Sequence, residues 1–238
     1  MNKINYGFDA PGFMRNALVF GSAAMGIFLV LRIFTANPVF RIVGILFLIG
    51  GIFFASLGVS MLIYGLTGKY RMRDLMLSKI NWKGDEKVLD IGSGRGLMLN
   101  GAAKFLTTGK AIGIDIWRPE DLSDNTLTNA LANAASEGVS DKIEILNQDA
   151  QKIEFPDNSF DVIFSVFCIH NIDDKVGIEK ACTEVARVLK PGGTAMVAEW
   201  MPIKDYVTTF SKNGLAIKSY QTYFSTAYAL MWMVEVTK

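Results

Sequence analysis

A glycine-rich turn after a short apolar segment carries the clearest chemical signal in this sequence. The segment contains Asp90 and continues through Gly92, Gly94 and Gly96, with Ser93 between the first two glycines. Glycine lets the backbone turn sharply and lets a ligand approach the main chain, and a following helix N-terminus offers free N–H groups. A dinucleotide-binding turn would need glycine at position 97, which is leucine. The spacing and the preceding acid therefore predict a nucleotide-like ligand that carries an amine and a carboxylate.

Alternating short strands and helices surround this turn. The predicted strands cover residues 87–91, 110–116, 142–146, 160–166 and 194–199, and the predicted helices cover residues 97–106, 125–137 and 173–189. Strands separated by helices of this length form a parallel sheet with helices on both faces, so the fold class is α/β. Residues 216–223 and 228–236 read as two further strands without a helix between them, and we expect them to pair antiparallel at the sheet edge.

Four later stretches follow the glycine-rich turn in an order that is typical of one family. These stretches are Gly113-Ile114-Asp115, Asn147-Gln148-Asp149-Ala150, residues 155–161 and residues 184–193. With them the chain resembles the class I S-adenosylmethionine-dependent methyltransferases, most of all the branch that acts on ubiquinone, menaquinone or sterol precursors. The resemblance implies a Rossmann-like sheet of seven mostly parallel strands with an antiparallel last strand. It also implies S-adenosyl-L-methionine as the cofactor.

The resemblance assigns roles to residues after the second and third strands. Asp115 is expected to bind both ribose hydroxyls, with Ile116 beside it in the cofactor site. Asp149 is expected to accept a hydrogen bond from the adenine amino group, and the Ala150 N–H to face the adenine ring. Trp117 either packs on the adenine or is simply buried.

The segment 69–80 has a helical pattern and connects the N-terminal part to the α/β part. In relatives the N-terminal helix folds over the cofactor, so Tyr70 or Arg73 is expected to contact the methionine moiety. The alternative is a basic helix attracted to anionic lipid headgroups.

Residues 165–171 follow the fourth strand, where this fold places the acceptor pocket. Methyl transfer from a sulfonium is an in-line displacement that depends on positioning, and it needs a base only when the nucleophile starts protonated. His170 is the only histidine and serves either as that base or as a residue that shapes the pocket. Asn171 is expected to orient a substrate oxygen, and Ser165 to lie at the cofactor. Glu199 either faces the acceptor or ends its strand in solvent.

Charge divides the chain into two parts. Of 24 Lys and Arg and 23 Asp and Glu, five lie in residues 1–68 and 42 in residues 69–238. Residues 16–31 and 42–68 are uncharged, and a helix of about 20 apolar residues spans a bilayer. We therefore predict a transmembrane hairpin in residues 1–68 with helices at about 17–34 and 42–66. A linker at 69–86 and a methyltransferase domain at 87–238 follow.

Flanking positive charges predict the orientation of this hairpin. Five positive residues lie on the side of the chain termini: Lys3, Arg15, Lys69, Arg71 and Arg73. Two lie at the turn of the hairpin: Arg32 and Arg41. Positive charge favours the cytoplasmic side, so we predict an integral membrane protein with a cytoplasmic catalytic domain. The alternatives are a cleaved signal peptide and helices that lie in the membrane interface.

Composition argues against several other classes of protein. A net charge of +1 argues against a nucleic-acid-binding surface, and 50% apolar residues argue against disorder. The two cysteines, Cys168 and Cys182, lack the spacing of a zinc site and are expected to pack in the interior, and we expect no metal.

The sequence thus predicts a membrane-anchored methyltransferase for a lipid-like or amphiphilic small molecule. Its transmembrane helices could also mediate a homo-oligomer. The alternatives are a tethered methyltransferase of a soluble metabolite and a non-catalytic module that binds S-adenosylmethionine.

Overall fold

The computed structural model describes residues 4–238 of the chain. The helices are α1 (Pro11–Phe34), α2 (Pro38–Ile63), α3 (Lys69–Ser78), α4 (Leu97–Ala103), α5 (Leu127–Glu137), α6 (Lys175–Val188), α7 (Lys204–Lys212) and α8 (Phe224–Ala227). The strands are β1 (Lys87–Ile91), β2 (Lys110–Asp115), β3 (Ile143–Asn147), β4 (Phe160–Val166), β5 (Leu189–Glu199), β6 (Ala216–Thr222) and β7 (Trp232–Thr237). A π-helical turn, Tyr64–Gly68, joins α2 to α3, and a 3-10 turn, Ile169–Asn171, follows β4.

The seven strands found in residues 4–238 form one sheet in the order β3-β2-β1-β4-β5-β7-β6. The first five strands are parallel, and β7 runs antiparallel to both of its neighbours. Two clusters of buried apolar side chains form the core of the α/β part, and the central strands β1 and β4 contribute to both clusters. The predicted sheet and its antiparallel last strand are confirmed, and β7 inserts between β5 and β6.

Within the α/β part, helices α7 and α8 were not predicted, strand β5 begins earlier than predicted, and strand β7 begins at Trp232 rather than at residue 228. Helix α7 follows β5 in a polar segment, and it buries only Tyr206, Thr209 and Phe210, at helical spacing. The four-residue helix α8 lies between β6 and β7, where no helix was expected. Strand β5 begins at Leu189 rather than at residue 194, because its early part pairs with the end of the chain, where the Gly192 N–H donates to the Lys238 carbonyl at 2.8 Å.

Helices α1 and α2 form an antiparallel hairpin that presents apolar side chains outward. Both are long and apolar enough to cross a membrane, and only 11% and 17% of their most apolar stretches are buried. They are therefore not core helices of the α/β part. They begin earlier than predicted, at Pro11 and Pro38, because proline suits the first helical position. Lys3, which contributes to the charge count, lies outside the described residues.

Small residues bring the two helices of the hairpin close together. A Cβ at Gly21 would lie 2.6 Å from the Ala55 backbone nitrogen, and one at Gly51 would lie 2.8 Å from the Met25 side chain. Membrane helices associate through such small residues because lipid offers no hydrophobic drive for helix pairing.

The hairpin meets the α/β part at the edge of the sheet where the parallel strands end. The Tyr64 ring, directly after α2, lies 5.0 Å between centroids from the Phe167 ring, directly after β4. On the other side of this junction, the chain before α1 folds back as an N-terminal strap, residues 4–10. The hairpin therefore leaves the domain at the edge where ligands bind in parallel α/β sheets.

Candidate functional site

A cleft opens at the carboxyl ends of β1, β2 and β4. The strand order reverses between β1 and β4, and such a switch point is the usual ligand site of an open α/β sheet. An adjoining smaller cleft shares Asp9, Gly92, Gly94, Leu122 and Val166 with it. We refer to them as the main cleft and the side cleft.

The glycine-rich turn forms one wall of both clefts. Gly92 and Gly94 have φ angles of +71° and +50°, which favour glycine. A Cβ at Gly92 would lie 2.3 Å from the Cys168 Sγ, so the turn packs directly on the loop after β4. The backbone at Gly92 and Gly94 thus lines the main cleft without a side chain in front of it.

Asp115 lies buried at the end of β2, beside this turn. Its Oδ2 accepts a hydrogen bond from the Gly94 N–H at 2.7 Å, and its Oδ1 accepts one from the Trp117 N–H at 2.6 Å. A carboxylate oxygen has two acceptor positions, so each oxygen of Asp115 retains one for a ligand in the main cleft. Two backbone donors therefore hold this side chain in place beside the main cleft.

Asp90 lines the side cleft and is almost fully buried. Its Oδ2 accepts a hydrogen bond from the Leu99 N–H at 2.9 Å, at the start of α4. Burial raises the pKa of Asp90 to about 7, and the nearby Asp115 raises it further, while the bond from Leu99 opposes the shift. A cationic ligand in the side cleft would favour the ionised form of this carboxyl group.

The N-terminal strap covers the junction of the two clefts. It pairs with the segment before α5: the Ala10 N–H donates to the Asp121 carbonyl at 2.8 Å, and the Ser123 N–H donates to the Phe8 carbonyl at 3.0 Å. This pairing places Asp9 against both clefts. Sequence reasoning missed Asp9, because no local pattern indicates that the segment before α1 returns to the loop before α5 and so to the clefts.

Asp9 has one carboxylate oxygen, Oδ2, that is buried and lacks a hydrogen-bond partner among residues 4–238. The Lys69 Nζ lies 4.0 Å from this oxygen and donates to the Tyr6 carbonyl at 2.9 Å and to the Gly7 carbonyl. Burial raises the pKa of Asp9, and the charge of Lys69 opposes that shift. Lys69 thus ties the strap to the start of α3, and Asp9 retains an acceptor for a ligand.

Acidic side chains dominate the main cleft. Asp9, Asp115, Asp121 and Asp149 line it together with one cation, Arg118. The Arg118 Nη1 donates to the Asn171 carbonyl at 2.9 Å. This bond joins the loop after β2 to the loop after β4. An acidic cleft attracts a positively charged ligand rather than a pyrophosphate.

His170 and Glu199 form a hydrogen-bonded pair beside the main cleft. The His170 Nδ1 lies 2.5 Å from the Glu199 Oε2, and the His170 backbone N–H donates to Oε1 at 3.2 Å. Glu199 is fully buried, which excludes the expectation that it ends its strand in solvent. The rings of Phe167 and Trp200 flank the imidazole edge to face, with centroids at 6.3 and 5.9 Å.

The structure brings most of the predicted site residues to the two clefts. Those that line the main or side cleft are Asp90, Gly92, Ser93, Gly94, Asp115, Ile116, Asp149, Ala150 and Asn171. Those that line neither of the two clefts are Tyr70, Gly96, Trp117, Ser165 and His170.

The residues outside the clefts have other contacts. Tyr70 lies against the Tyr6 ring of the strap, with centroids 6.1 Å apart, and beneath the Arg73 guanidinium. Trp117 is half-buried and holds Asp115 through its backbone N–H. Ser165 is fully buried in β4. Trp117 thus acts on the main cleft through Asp115, and Tyr70 contacts the strap.

The two cysteines differ in their surroundings. Cys182 is buried in the core, as predicted, whereas Cys168 lines the main cleft beside the glycine-rich turn. Burial raises the pKa of the Cys168 thiol well above its ordinary range, and nearby carboxylates raise it further. The thiolate form is thus disfavoured, which argues against a nucleophilic role. No group of three or more His, Cys, Asp or Glu within residues 4–238 could hold a metal ion.

Comparison with known proteins finds methyltransferases. Residues 89–197 match the family model described as Methyltransferase domain. The chain is 32% identical over 177 residues to the ubiquinone/menaquinone biosynthesis C-methyltransferase UbiE of Chromobacterium violaceum, covering 67% of this chain and 68% of that protein. It is 34% identical over 120 residues to the sterol 24-C-methyltransferase erg6 of Aspergillus fumigatus, covering 50% of this chain but only 29% of that enzyme.

The fold also matches solved structures. A SAM-dependent methyltransferase from Aquifex aeolicus superposes with a TM-score of 0.56 at 21% identity, over 69% of this chain and 88% of that one. At this identity the likeness concerns the fold, which here comprises the sheet and its flanking helices.

Proposed function

Because the chain belongs to the class I S-adenosylmethionine-dependent methyltransferases, we propose that it transfers a methyl group to a hydrophobic or amphiphilic small molecule drawn from a membrane. The family and the fold imply S-adenosylmethionine as the cofactor. One observation supports this acceptor class: Tyr64 at the end of α2 packs on Phe167, a residue of the main cleft. The relatives' names, which concern quinones and sterols, agree with a lipid-like acceptor.

The residues of the two clefts fit the cofactor. Asp115 offers to a ribose two carboxylate oxygens that backbone N–H groups hold in place, and we assign Asp149 and the Ala150 N–H, which line the main cleft, to the adenine. Asp90 and the unpartnered Oδ2 of Asp9 offer acceptors for the α-ammonium group of the methionine moiety. The acidic lining suits a ligand that carries a sulfonium and an ammonium charge.

The cofactor supplies an electrophilic methyl group on its sulfonium, so the protein's part in the reaction is positioning and proton transfer. Phe167 and Tyr64 provide an apolar wall that excludes water from the acceptor side. Asn171, which lines the main cleft, orients an oxygen of the acceptor. These residues hold the nucleophile in line with the bond that breaks.

His170 takes a proton when the acceptor is a phenol, enol or thiol. The Glu199 carboxylate accepts a hydrogen bond from Nδ1–H, which leaves the lone pair of Nε2 free to receive the proton. Since Glu199 is fully buried, its charge also stabilises the imidazolium that results. His170 lies next to Asn171 and Phe167 but not in the cleft wall, so the acceptor must approach between Phe167 and Trp200.

Membrane anchoring through α1 and α2 is part of this proposal. The apolar side chains of both helices point outward, with Phe34 at 81% and Phe53 at 61% exposure. The positive charges near the strap and α3 favour a cytoplasmic domain. The anchor then holds the cleft mouth at the headgroup region, where a lipid-like acceptor enters without crossing water.

Calorimetric titration of the purified full chain in detergent with S-adenosylmethionine tests the cofactor. We expect binding by the wild type and at least a hundredfold weaker binding by Asp115→Ala, because two hydrogen bonds to a charged acceptor are each worth about 1.5–3 kcal/mol. Asp141→Ala is the matched control, since Asp141 is exposed and lines neither cleft. Absence of binding by the wild type contradicts the proposal.

Labelling tests the acceptor. The protein is incubated with methyl-labelled S-adenosylmethionine and an extract of native membranes, and we expect the label to partition into the organic phase. Label that stays in the aqueous phase indicates a tethered enzyme for a soluble metabolite. Binding without any labelled product indicates a non-catalytic module.

A further inference from the structure

The connection between β6 and β7, residues 223–231, has an unusual surface for a loop of a water-exposed domain. It contains no charged residue, and the uncharged stretch extends from residue 219 to residue 234. Within it Phe224, Tyr228 and Leu230 are 64%, 41% and 52% exposed. Contiguous exposed apolar side chains mark interaction surfaces rather than ordinary loops. We call residues 223–231 the β6–β7 connection.

Helix α2 and the residues after it hold this connection. The Ser60 hydroxyl in α2 donates to the Tyr228 carbonyl at 2.9 Å, across 168 positions of sequence. A Cβ at Gly68 would lie 1.9 Å from the Ala227 carbonyl oxygen, so α8 rests directly on the π-helical turn. The connection is therefore continuous with the surface of the hairpin.

Tyr228 is fixed in a backbone conformation that few side chains adopt. Its φ is +55°, in the left-handed region, where residues with a Cβ are uncommon. Arg71 in α3 donates to the Tyr228 hydroxyl, and its guanidinium lies 4.7 Å from the ring centroid. Such conformations persist where surrounding contacts determine them, and they cluster at functional surfaces.

The position of Ser60 gives the depth of the connection. Helix α2 has 26 residues and is about 39 Å long at 1.5 Å per residue, which exceeds the roughly 30 Å of hydrocarbon in a bilayer. Ser60 lies three residues before the end of α2 at Ile63. A residue at this point of a spanning helix lies at the boundary of the hydrocarbon and the headgroups, and so does Tyr228.

The composition of the connection suits that boundary. Tyrosine is enriched at membrane interfaces because its ring is apolar and its hydroxyl is polar. Arg71, beside the Tyr228 hydroxyl, offers positive charge to anionic headgroups. Phe224 and Leu230 supply apolar side chains on the same short connection.

We propose that the β6–β7 connection is a second membrane contact, which inserts Phe224 and Leu230 into the headgroup and acyl boundary of the leaflet that α2 enters. The proposal rests on the spanning of α2 that the proposed function contains. This contact fixes the carboxyl edge of the sheet, and hence the mouth of the main cleft, against the bilayer.

Quenching of tryptophan fluorescence by brominated lipids tests this contact. Leu230→Trp and Phe224→Trp are reconstituted as full chains into vesicles of phosphatidylcholine and phosphatidylglycerol, with bromine near the headgroup end of the acyl chains. The signal of the four native tryptophans, measured on the wild type, is subtracted. Phe47→Trp, within α2, is the positive control, and Phe105→Trp is the matched exposed control, because Phe105 precedes β2 at the opposite edge of the sheet.

We expect strong quenching at position 47, quenching of at least half as much at positions 224 and 230, and little at position 105. Quenching at 47 with none at 224 and 230 overturns the second contact and leaves the anchor in place. Absence of quenching at 47 overturns the anchor itself. Cross-linking in the same vesicles shows whether the chain forms a dimer. A dimer in which the second copy shields positions 224 and 230 from quenching also overturns the proposal.

Discussion

Asp90 is a buried residue of the side cleft and belongs to a motif, whereas Asp9, a partly exposed residue of the same cleft, does not. Asp9 comes from the strap before α1 and keeps one buried oxygen without a partner among the described residues. At the scale of single residues, the proposed cofactor site thus combines a motif of the fold with an acid that the strap supplies.

Asp9→Asn should weaken binding of S-adenosylmethionine by about 10- to 100-fold. A hydrogen bond from the α-ammonium group to a carboxylate contributes about 1.5–3 kcal/mol, and the amide removes the charge while it keeps the size. Calorimetric titration measures the change. Glu120→Gln is the control, because Glu120 is exposed and lines neither cleft. Equal affinity of Asp9→Asn and wild type would show that Asp9 only anchors the strap.

His170→Ala should lower kcat by about a hundredfold or more if the acceptor must lose a proton. Glu199→Gln should lower kcat at least tenfold and change the pH profile, since the amide does not hold Nδ1–H or stabilise the imidazolium as the carboxylate does. Cofactor affinity should stay unchanged in both variants, because neither residue lines a cleft. Unchanged turnover of His170→Ala removes the base from the mechanism.

At the scale of elements, the hairpin depends on close contact of α1 and α2. Gly21 and Gly26 lie in the same helix, but a Cβ at Gly21 would meet the Ala55 backbone, and a Cβ at Gly26 would meet nothing within 4 Å. Backbone cannot move aside as the tip of a side chain can. The two glycines therefore form a matched pair for testing the packing.

Gly21→Ala should destabilise the protein by about 1–3 kcal/mol, as overpacking does, and should lower the melting temperature in detergent. Gly26→Ala should be neutral or stabilising by about 0.5–1 kcal/mol, because alanine favours the helix. Thermal unfolding of both variants by circular dichroism measures the difference. Equal melting temperatures would contradict the close contact of the two helices.

At the scale of the whole molecule, the buried carboxyl group of Asp90 links stability to pH. Its pKa is about 7 in the folded protein and near 3.8 in the unfolded chain, so the folded state binds more protons between these values. Stability therefore falls as pH rises from about 4 to 7, by up to about 4 kcal/mol from this group. A bound cation would favour the ionised form, so cofactor affinity should rise over the same range.

Asp90→Asn should remove this part of the pH dependence. The amide oxygen can still accept the hydrogen bond from the Leu99 N–H, and the cost of ionising a buried group is absent. Thermal unfolding of wild type and variant without cofactor, between pH 4.5 and pH 8, measures the difference in slope. Parallel curves would contradict the raised pKa of Asp90.

The sequence by itself determined the parts of this protein that local patterns encode. The glycine-rich turn, Asp115 and Asp149 lie in short motifs at strand ends, and the parallel sheet brings strand ends to one edge. The two apolar helices follow from composition, because uncharged runs of this length lack the polar face that an amphipathic core helix shows. Strands β1 and β4 were predicted to the residue.

Only the tertiary structure decided which distant segments meet. Glu199 lies 29 positions from His170, Asp9 joins the side cleft from before the first helix, and Ser60 contacts Tyr228 across 168 positions. Periodicity reports which face of an element is buried but not which remote element covers it. Those pairings depend on the path of the whole chain, and they connect the hairpin of α1 and α2 to the cleft.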